Sequence, residues 1–138
     1  MFFQDTYEKE TREYEERKRQ REELRRQREE QARIIRQFQL LMDHSMEIYM
    51  EETKDLLHDP VGTITSQEIY GLYSLWCREK GITPESSRKF LMFLKERASQ
   101  YRIIPINGLS TGNGRRVRGF RGIRADLSAL TGRTDADL

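Results

Sequence analysis

The chain has 138 residues, of which 25 are Lys or Arg and 23 are Asp or Glu, so that 35% of the residues are charged. This length accommodates one modest domain with an appendage and excludes a large enzyme. No apolar run approaches the roughly 18 residues that a membrane span needs, so no membrane partner is expected. One cysteine, Cys77, and two histidines provide neither a disulfide nor the spacing of a zinc site. We therefore expect no metal, no cofactor and a cytoplasmic location.

Residues 1–58 are predicted to form one long charged helix, a possible coiled-coil or oligomerisation arm. Neither Gly nor Pro occurs before Pro60, and residues 8–33 are almost entirely Glu, Arg, Lys and Gln, which favour helix. Every seventh residue from Tyr7 is apolar in six of eight cases, but the positions three residues further on include only Leu24 and Phe38. A continuous two-stranded coiled coil is therefore only half specified. A dimerising or partner-binding helix and a solvated or partly disordered arm both stay open.

An amphipathic stripe begins at Ile34, where apolar residues recur at helical spacing with polar residues between them. Such a stripe needs cover, either from the C-terminal domain or from a second copy of the chain, and a homodimer or a helical protein partner would supply it. The candidate oligomerisation residues are Ile34, Ile35, Phe38, Leu41, Met42 and Tyr49.

Residues 61–124 contain the signals of a helix-turn-helix. Thr65 and Glu68 form a capping box that opens a helix over residues 66–80, and Gly81 supplies its C-terminal stop. The Thr83-Pro84 pair predicts the start of a second helix, which extends to about Ser99. Two helices joined by a short turn that contains glycine are typical of a helix-turn-helix and also of an ordinary helical hairpin.

Two predicted strands, at residues 101–106 and 115–123, favour the first interpretation. They flank a glycine-rich segment, residues 107–114, that predicts a hairpin with a flexible tip. Helix, turn, helix and a basic hairpin together predict a winged helix. The expected fold class is thus mainly α with a small β-hairpin (α+β), in which a long charged helix precedes a winged helix-turn-helix domain. Residues 125–138 are predicted to be a polar tail.

The basic charge is concentrated in this domain, because residues 88–124 contain ten Lys or Arg and a single acid, Glu96. The second helix, residues 84–99, is the candidate recognition helix for the major groove of double-stranded DNA, and residues 107–118 are the candidate basic wing. The first turn of the recognition helix also offers free amides to a phosphate. The candidate DNA-binding residues are Ser86, Ser87, Arg88, Lys89, Met92, Lys95, Arg102, Arg115, Arg116, Arg118 and Arg121.

Residues 46–124 also resemble a known domain. The resemblance lies in the run from Thr65 to Tyr70, in Trp76-Cys77, and in the run from Gly114 to Ile123, with further matches at Tyr73, Gly81, Phe90 and Leu94. These elements are similar in order and spacing to the winged-helix domain at the C-terminal end of phage, plasmid and poxvirus-type primase-helicases. The resemblance implies engagement of DNA, in a bacterial host or in association with its nucleoid. The chain contains no Walker A sequence and no acidic primase cluster, so the helicase and primase activities are not implied.

Two hypotheses follow from these patterns. The first is a non-catalytic DNA-binding protein of a phage or mobile element, which acts as a regulator or replication accessory and has no catalytic residues. The second is a structural or adaptor protein, in which the long helix binds a partner and the winged helix is a docking module.

Overall fold

The structure is a computed structural model and describes residues 2–129, with side chains from Gln4 onward. The predicted polar tail at residues 125–138 therefore lies largely outside the described residues. The chain divides into two compact units, Met1–Leu40 and Leu41–Leu138, which are described separately.

Helix α1 extends over Phe2–Asp43 and contains the whole first unit. From Gln4 to Leu40 every side chain is exposed except that of Thr11, which is half-buried. Ion pairs within the helix join Glu13 to Arg17 at 3.7 Å, Arg25 to Glu29 at 3.9 Å and Glu30 to Arg33 at 2.7 Å. Such exposed pairs each stabilise a helix only slightly, so the helix depends mainly on the high propensity of its residues.

The predicted end of the first helix near residue 58 is wrong. Helix α1 ends at Asp43, α2 covers Ser45–Glu52, and strand β1 follows at Leu56–Thr65. Thr53 ends α2 with an extended backbone, at φ −65° and ψ 138°. The segment that follows becomes a strand because it pairs with a second strand 54 to 69 residues away, a contact that local propensity does not report.

Helices α3 and α4 cover Ser66–Glu79 and Ser87–Glu96. The predicted helix start is confirmed, since Oγ1 of Thr65 accepts a hydrogen bond from the backbone N–H of Glu68 at 3.1 Å. The carboxylate of Glu68 accepts a hydrogen bond from the Thr65 hydroxyl at 2.9 Å, which replaces the bond to the Thr65 backbone N–H that a full capping box contains. The stop at Gly81 is also confirmed, with a left-handed φ of 76° that glycine adopts without strain. The predicted start of the second helix at Thr83-Pro84 is wrong, because α4 begins after Ser86, whose Oγ caps the N–H of Lys89 at 3.2 Å.

Strands β2 and β3 cover Ile104–Ser110 and Arg116–Ala125 and form an antiparallel sheet with β1 in the order β1-β3-β2. The predicted first strand at 101–106 therefore starts three residues too early, and the long tip at 107–114 shortens to a turn between the strands. The element order α2-β1-α3-α4-β2-β3, with β3 in the middle of the sheet, is the connectivity of a winged helix. The predicted fold class is confirmed, and β1 is a strand that the sequence patterns did not predict.

The core of the second unit lies between the helices and one face of the sheet. Tyr49, Tyr73 and Phe90 are fully buried at its centre, and the rings of Tyr73 and Phe90 stack with their centroids 4.3 Å apart. Ile64 of β1 and Phe120 of β3 are paired across the sheet and are also buried. Each buried aromatic side chain contributes a large apolar area, which fixes the helices on the sheet.

Two glycines of β3 allow close strand contacts. A Cβ on Gly119 would clash with both the carbonyl oxygen of Ile64 and Cδ1 of Leu109. Gly122 has a φ of +99°, and a Cβ there would lie 2.5 Å from the carbonyl oxygen of Arg102. Gly122 is paired with Asp59, next to the point where the β1 register shifts by three residues before Thr63. The glycine and the irregularity in β1 together allow both Phe120 and Ile123 to be buried.

Candidate nucleic-acid interface

Helix α4 has one buried and one exposed face. Phe90, Phe93 and Leu94 are buried in the core. The exposed side chains are Ser87, Arg88, Lys89, Met92 and Lys95, which the sequence predicts for DNA contact, and Glu96 at the last position of the helix. The buried face thus fixes the helix on the domain and leaves a cationic face, with the half-exposed Met92 at its middle, open to a ligand.

Two tyrosines of α3 hold the backbone immediately before α4. Oη of Tyr73 accepts a hydrogen bond from the N–H of Glu85 at 3.0 Å, and Oη of Tyr70 donates one to the carbonyl of the same residue at 2.8 Å. The Tyr73 hydroxyl also lies 2.7 Å from Oγ of Ser45 in a buried hydrogen bond. Burial raises the pKa of Tyr73 to about 12, so its hydroxyl stays protonated at neutral pH. The entry to α4 is therefore positioned by α3 side chains.

The first turn of α4 combines a cap with basic side chains. Ser86, which the sequence had assigned to phosphate contact, uses its Oγ to cap the Lys89 amide. Nζ of Lys89 lies 3.1 Å from a carboxylate oxygen of Glu85 in an ion pair on the helix surface. Both Ser86 and Ser87 are exposed. A phosphate at this turn would thus meet hydroxyl groups and cations, with one carboxylate beside them.

The wing is a tight turn between β2 and β3. The N–H of Thr111 donates to the carbonyl of Arg115 at 3.1 Å, and the N–H of Gly114 donates to the carbonyl of Thr111 at 3.0 Å. Gly114 adopts a φ of 74°, in the left-handed region that such a turn requires. Arg115, Arg116 and Arg118 are exposed on this turn and on the start of β3.

Alternation along β3 separates the arginines of this strand into two groups. Because Phe120 points into the core, Arg116 and Arg118 lie on the side of the sheet that carries the helices, and Arg121 lies on the opposite side. Arg121 is paired with Thr63 on one side and with Ile104 on the other. The eleven predicted DNA-binding residues are all exposed, but this alternation does not bring Arg121 together with the rest.

Arg102 lies at the end of the turn between α4 and β2. It is exposed and adopts a φ of 56°, the only left-handed backbone among the described residues other than glycine. Its carbonyl approaches Gly122 of the neighbouring strand. Since a left-handed conformation is costly for arginine, the close contact between these two chain segments accounts for it.

The first turn of α3 also borders the wing, which the sequence patterns did not reveal. Thr65, Ser66, Gln67 and Glu68 line an open groove together with Thr111, Val117 and Arg118. The capping box predicted only the start of the helix. This turn lies beside the wing because Thr65 pairs with Gly119 in the sheet, which is a long-range contact.

The interface is rich in cations without anionic partners. Of the eight basic residues predicted to contact DNA, Lys89 alone forms an ion pair among the described residues. The other seven are exposed and form none. Arg124, by contrast, is bound to Asp59 at 3.0 Å, so the end of β3 that is distant from the wing is neutralised within the chain.

Cys77 is buried in α3, and burial raises the pKa of its thiol. This environment is typical of a cysteine that packs in a protein core. Among the described residues no three His, Cys, Asp or Glu side chains are grouped so that they could hold a metal ion. None of the described helices has an apolar stretch long enough to cross a membrane.

The predicted oligomerisation residues do not form one surface. Tyr49 is fully buried in the core of the second unit, so its assignment is wrong. Leu41 is partly buried against that core, and its assignment stays a prediction. Some residues of the predicted amphipathic stripe therefore pack in the core, and others are exposed to solvent. The four exposed members are Ile34, Ile35, Phe38 and Met42.

Comparisons with protein-family models, with curated proteins and with solved structures found no match to this chain. The resemblance to the primase-helicase winged-helix domain therefore stays a prediction from the residues that carry it.

Proposed function

We propose that the chain is a DNA-binding protein that contacts double-stranded DNA through α4 and the wing. The observation that carries the proposal is the exposed cationic face of α4, with Arg88, Lys89 and Lys95, together with unpaired arginines on the wing of the same winged helix. A helix of this kind fits the major groove of B-form DNA, whereas the major groove of A-form RNA is too narrow for it.

The proposed roles of the basic residues follow from their positions on α4 and on the wing. Arg88 and Lys89 lie in the first turn of α4, where side chains can reach base edges, and Lys95 lies one to two turns later. Arg115, Arg116 and Arg118 would contact phosphates, which fixes the orientation of the protein without selecting a sequence. The proposed role is that of a regulator or replication accessory of a phage or mobile element, and the support for this setting is the resemblance over residues 46–124.

The test is fluorescence anisotropy of the full chain with a mixed-sequence DNA duplex at several salt concentrations. Neutralisation of about five phosphates predicts a slope of log K against log salt of about −4 to −5, or roughly a 500-fold loss of affinity for a fourfold rise in salt. The Arg115→Ala/Arg116→Ala variant should bind weakly at every salt concentration and show a slope that is smaller by about 2.

Lys18→Ala/Arg19→Ala is the matched control, because it removes the same charge from exposed positions of α1. The proposal requires this control to bind like the parent chain. Absence of binding at low salt, or equal losses in both variants, would contradict it and would favour the adaptor hypothesis.

A further inference from the structure

One face of α1 has the residue pattern of a coiled coil in a register different from the one counted from Tyr7. Six uncharged residues follow one another at alternating spacings of four and three, and we call them the coiled-coil face: Gln20, Leu24, Gln27, Gln31, Ile34 and Phe38. This alternation is the a/d pattern of a heptad. Counting from Tyr7 placed Arg21 and Arg28 inside the contact, whereas this register moves both arginines to its edge and leaves only Arg17, at the a position before Gln20, inside it.

No described residue of its own unit covers the coiled-coil face. Its apolar members Leu24, Ile34 and Phe38 are 48%, 45% and 43% exposed. The next position in the series is Leu41, which belongs to the second unit and is partly buried against the core there. The face that is free for a partner therefore ends at Phe38.

Charges on the two edges of this face identify the partner. Glu16 and Glu23 occupy the g positions, and Arg21 and Arg28 occupy the e positions, five residues after each glutamate. In a parallel coiled coil a g residue faces the e residue five positions later in the other helix. Glu16 would then face Arg21 of the partner subunit, and Glu23 would face Arg28 of the partner subunit.

These charges are not used inside the chain. Other glutamates and arginines of α1 form ion pairs along the helix, at Glu13–Arg17, Arg25–Glu29 and Glu30–Arg33. Among the described residues the four edge charges form none. An antiparallel pair would place glutamate opposite glutamate and arginine opposite arginine, which is repulsive. The parallel arrangement also places each seam glutamine opposite its own copy, where two amides can hydrogen-bond to each other.

We propose that residues 16–38 form a parallel, in-register, two-stranded coiled coil with a second copy of this chain. The proposal rests on α1 alone and is independent of DNA binding. A dimer that fails to bind DNA would refute the proposed function and leave this inference intact.

The first experiment is sedimentation equilibrium of the full chain without DNA. The expected mass is twice the 16.5 kDa of one chain. The variant Arg21→Glu/Arg28→Glu places glutamate at all four of these edge positions and should raise the dissociation constant of the dimer about tenfold or more. The complementary variant, Glu16→Arg/Glu23→Arg, should be weakened in the same way, and an equimolar mixture of the two variants should restore association.

Lys18→Glu/Arg25→Glu is the matched control, since it makes the same change of charge at the same spacing on positions away from the face. This control should remain dimeric, and thermal unfolding of the second unit should be unchanged in all variants. A mass other than that of two chains for the parent protein, or equal weakening in the control, would overturn the proposal.

Orientation is tested separately by oxidation. Gln27→Cys lies on the face and should form an intermolecular disulfide in an in-register parallel pair, because each new thiol meets its own copy. Glu29→Cys, two residues away on the outer side of the helix, should not, and the native Cys77 is buried. Failure of the Gln27→Cys chain to cross-link while it sediments as a dimer would overturn the parallel, in-register arrangement.

Discussion

The hydroxyl of Tyr73 accepts a hydrogen bond from the backbone N–H of Glu85, and this contact ties α3 to the residue that precedes the cap of α4. The same hydroxyl is joined to Ser45 of α2. Three helices thus meet at one buried oxygen atom, close to the residues proposed to read DNA.

Removal of this oxygen should destabilise the domain. In Tyr73→Phe the Glu85 amide and the Ser45 hydroxyl lose their partner, and the expected loss in the free energy of unfolding is about 1–3 kcal/mol, measured by urea denaturation. Tyr70→Phe frees only a partly buried carbonyl and should cost less. A larger loss in Tyr70→Phe than in Tyr73→Phe would contradict this view of the contact.

Stability should also fall at high pH. Burial raises the pKa of Tyr73 from 10.0 to about 12, so the folded chain holds this proton more tightly than the unfolded chain does. The contribution of this group is therefore fully present below pH 10 and is lost as the pH rises toward 12. Urea denaturation over this pH range should give a steeper decline for the parent protein than for Tyr73→Phe. Parallel curves would show that another group causes the decline.

A methyl group at position 119 should not be tolerated. In Gly119→Ala the new Cβ meets a backbone oxygen of β1 and a side chain of β2, so β3 must move, and the expected cost is about 2 kcal/mol or more. Gly112→Ala is the control, because nothing lies within 4 Å of a Cβ there, and it should change stability by less than about 0.5 kcal/mol. Thermal unfolding of both variants distinguishes the two sites, and equal melting temperatures would refute the close packing of β3.

The local elements were predictable from the sequence where their signals are themselves local. The Thr65–Glu68 box and Gly81 depend on neighbours within three or four residues, and both were assigned correctly. Strand β1 was missed because its partner lies about 60 residues away. Its pattern is also interrupted by Pro60 and Gly62, where the pairing is irregular.

The local features of the candidate site were also predictable from the sequence, and its long-range contacts were not. Basic side chains are exposed almost wherever they occur, so their exposure followed from composition. The start of α4 was misplaced by three residues because Thr83-Pro84 has stronger local helix signals than Ser86. The tyrosines that engage Glu85 lie 12 and 15 residues away from it, and no local pattern records such a contact.

Two arginines of β3 should behave differently in DNA binding. Arg118→Ala removes a cation from the side that carries the helices, so it should weaken binding and reduce the salt slope by about 1. Arg121→Ala removes the same charge from the other side of the sheet and should leave both quantities unchanged. Anisotropy titrations of the two variants provide the comparison, and equal losses would show that alternation along β3 does not divide the interface.

Strand β3 is the middle strand of the sheet and also the strand that carries the wing arginines. At Phe120 the strand is paired on both sides, with Ile64 of β1 and Pro105 of β2, while its Arg116 end extends beyond the last residue of β1. The orientation of the wing is therefore set by the part of β3 around Phe120. A change in the packing around Phe120 would turn the arginines away from a bound duplex without touching any of them, so weakened binding in a core variant need not indicate a contact with DNA.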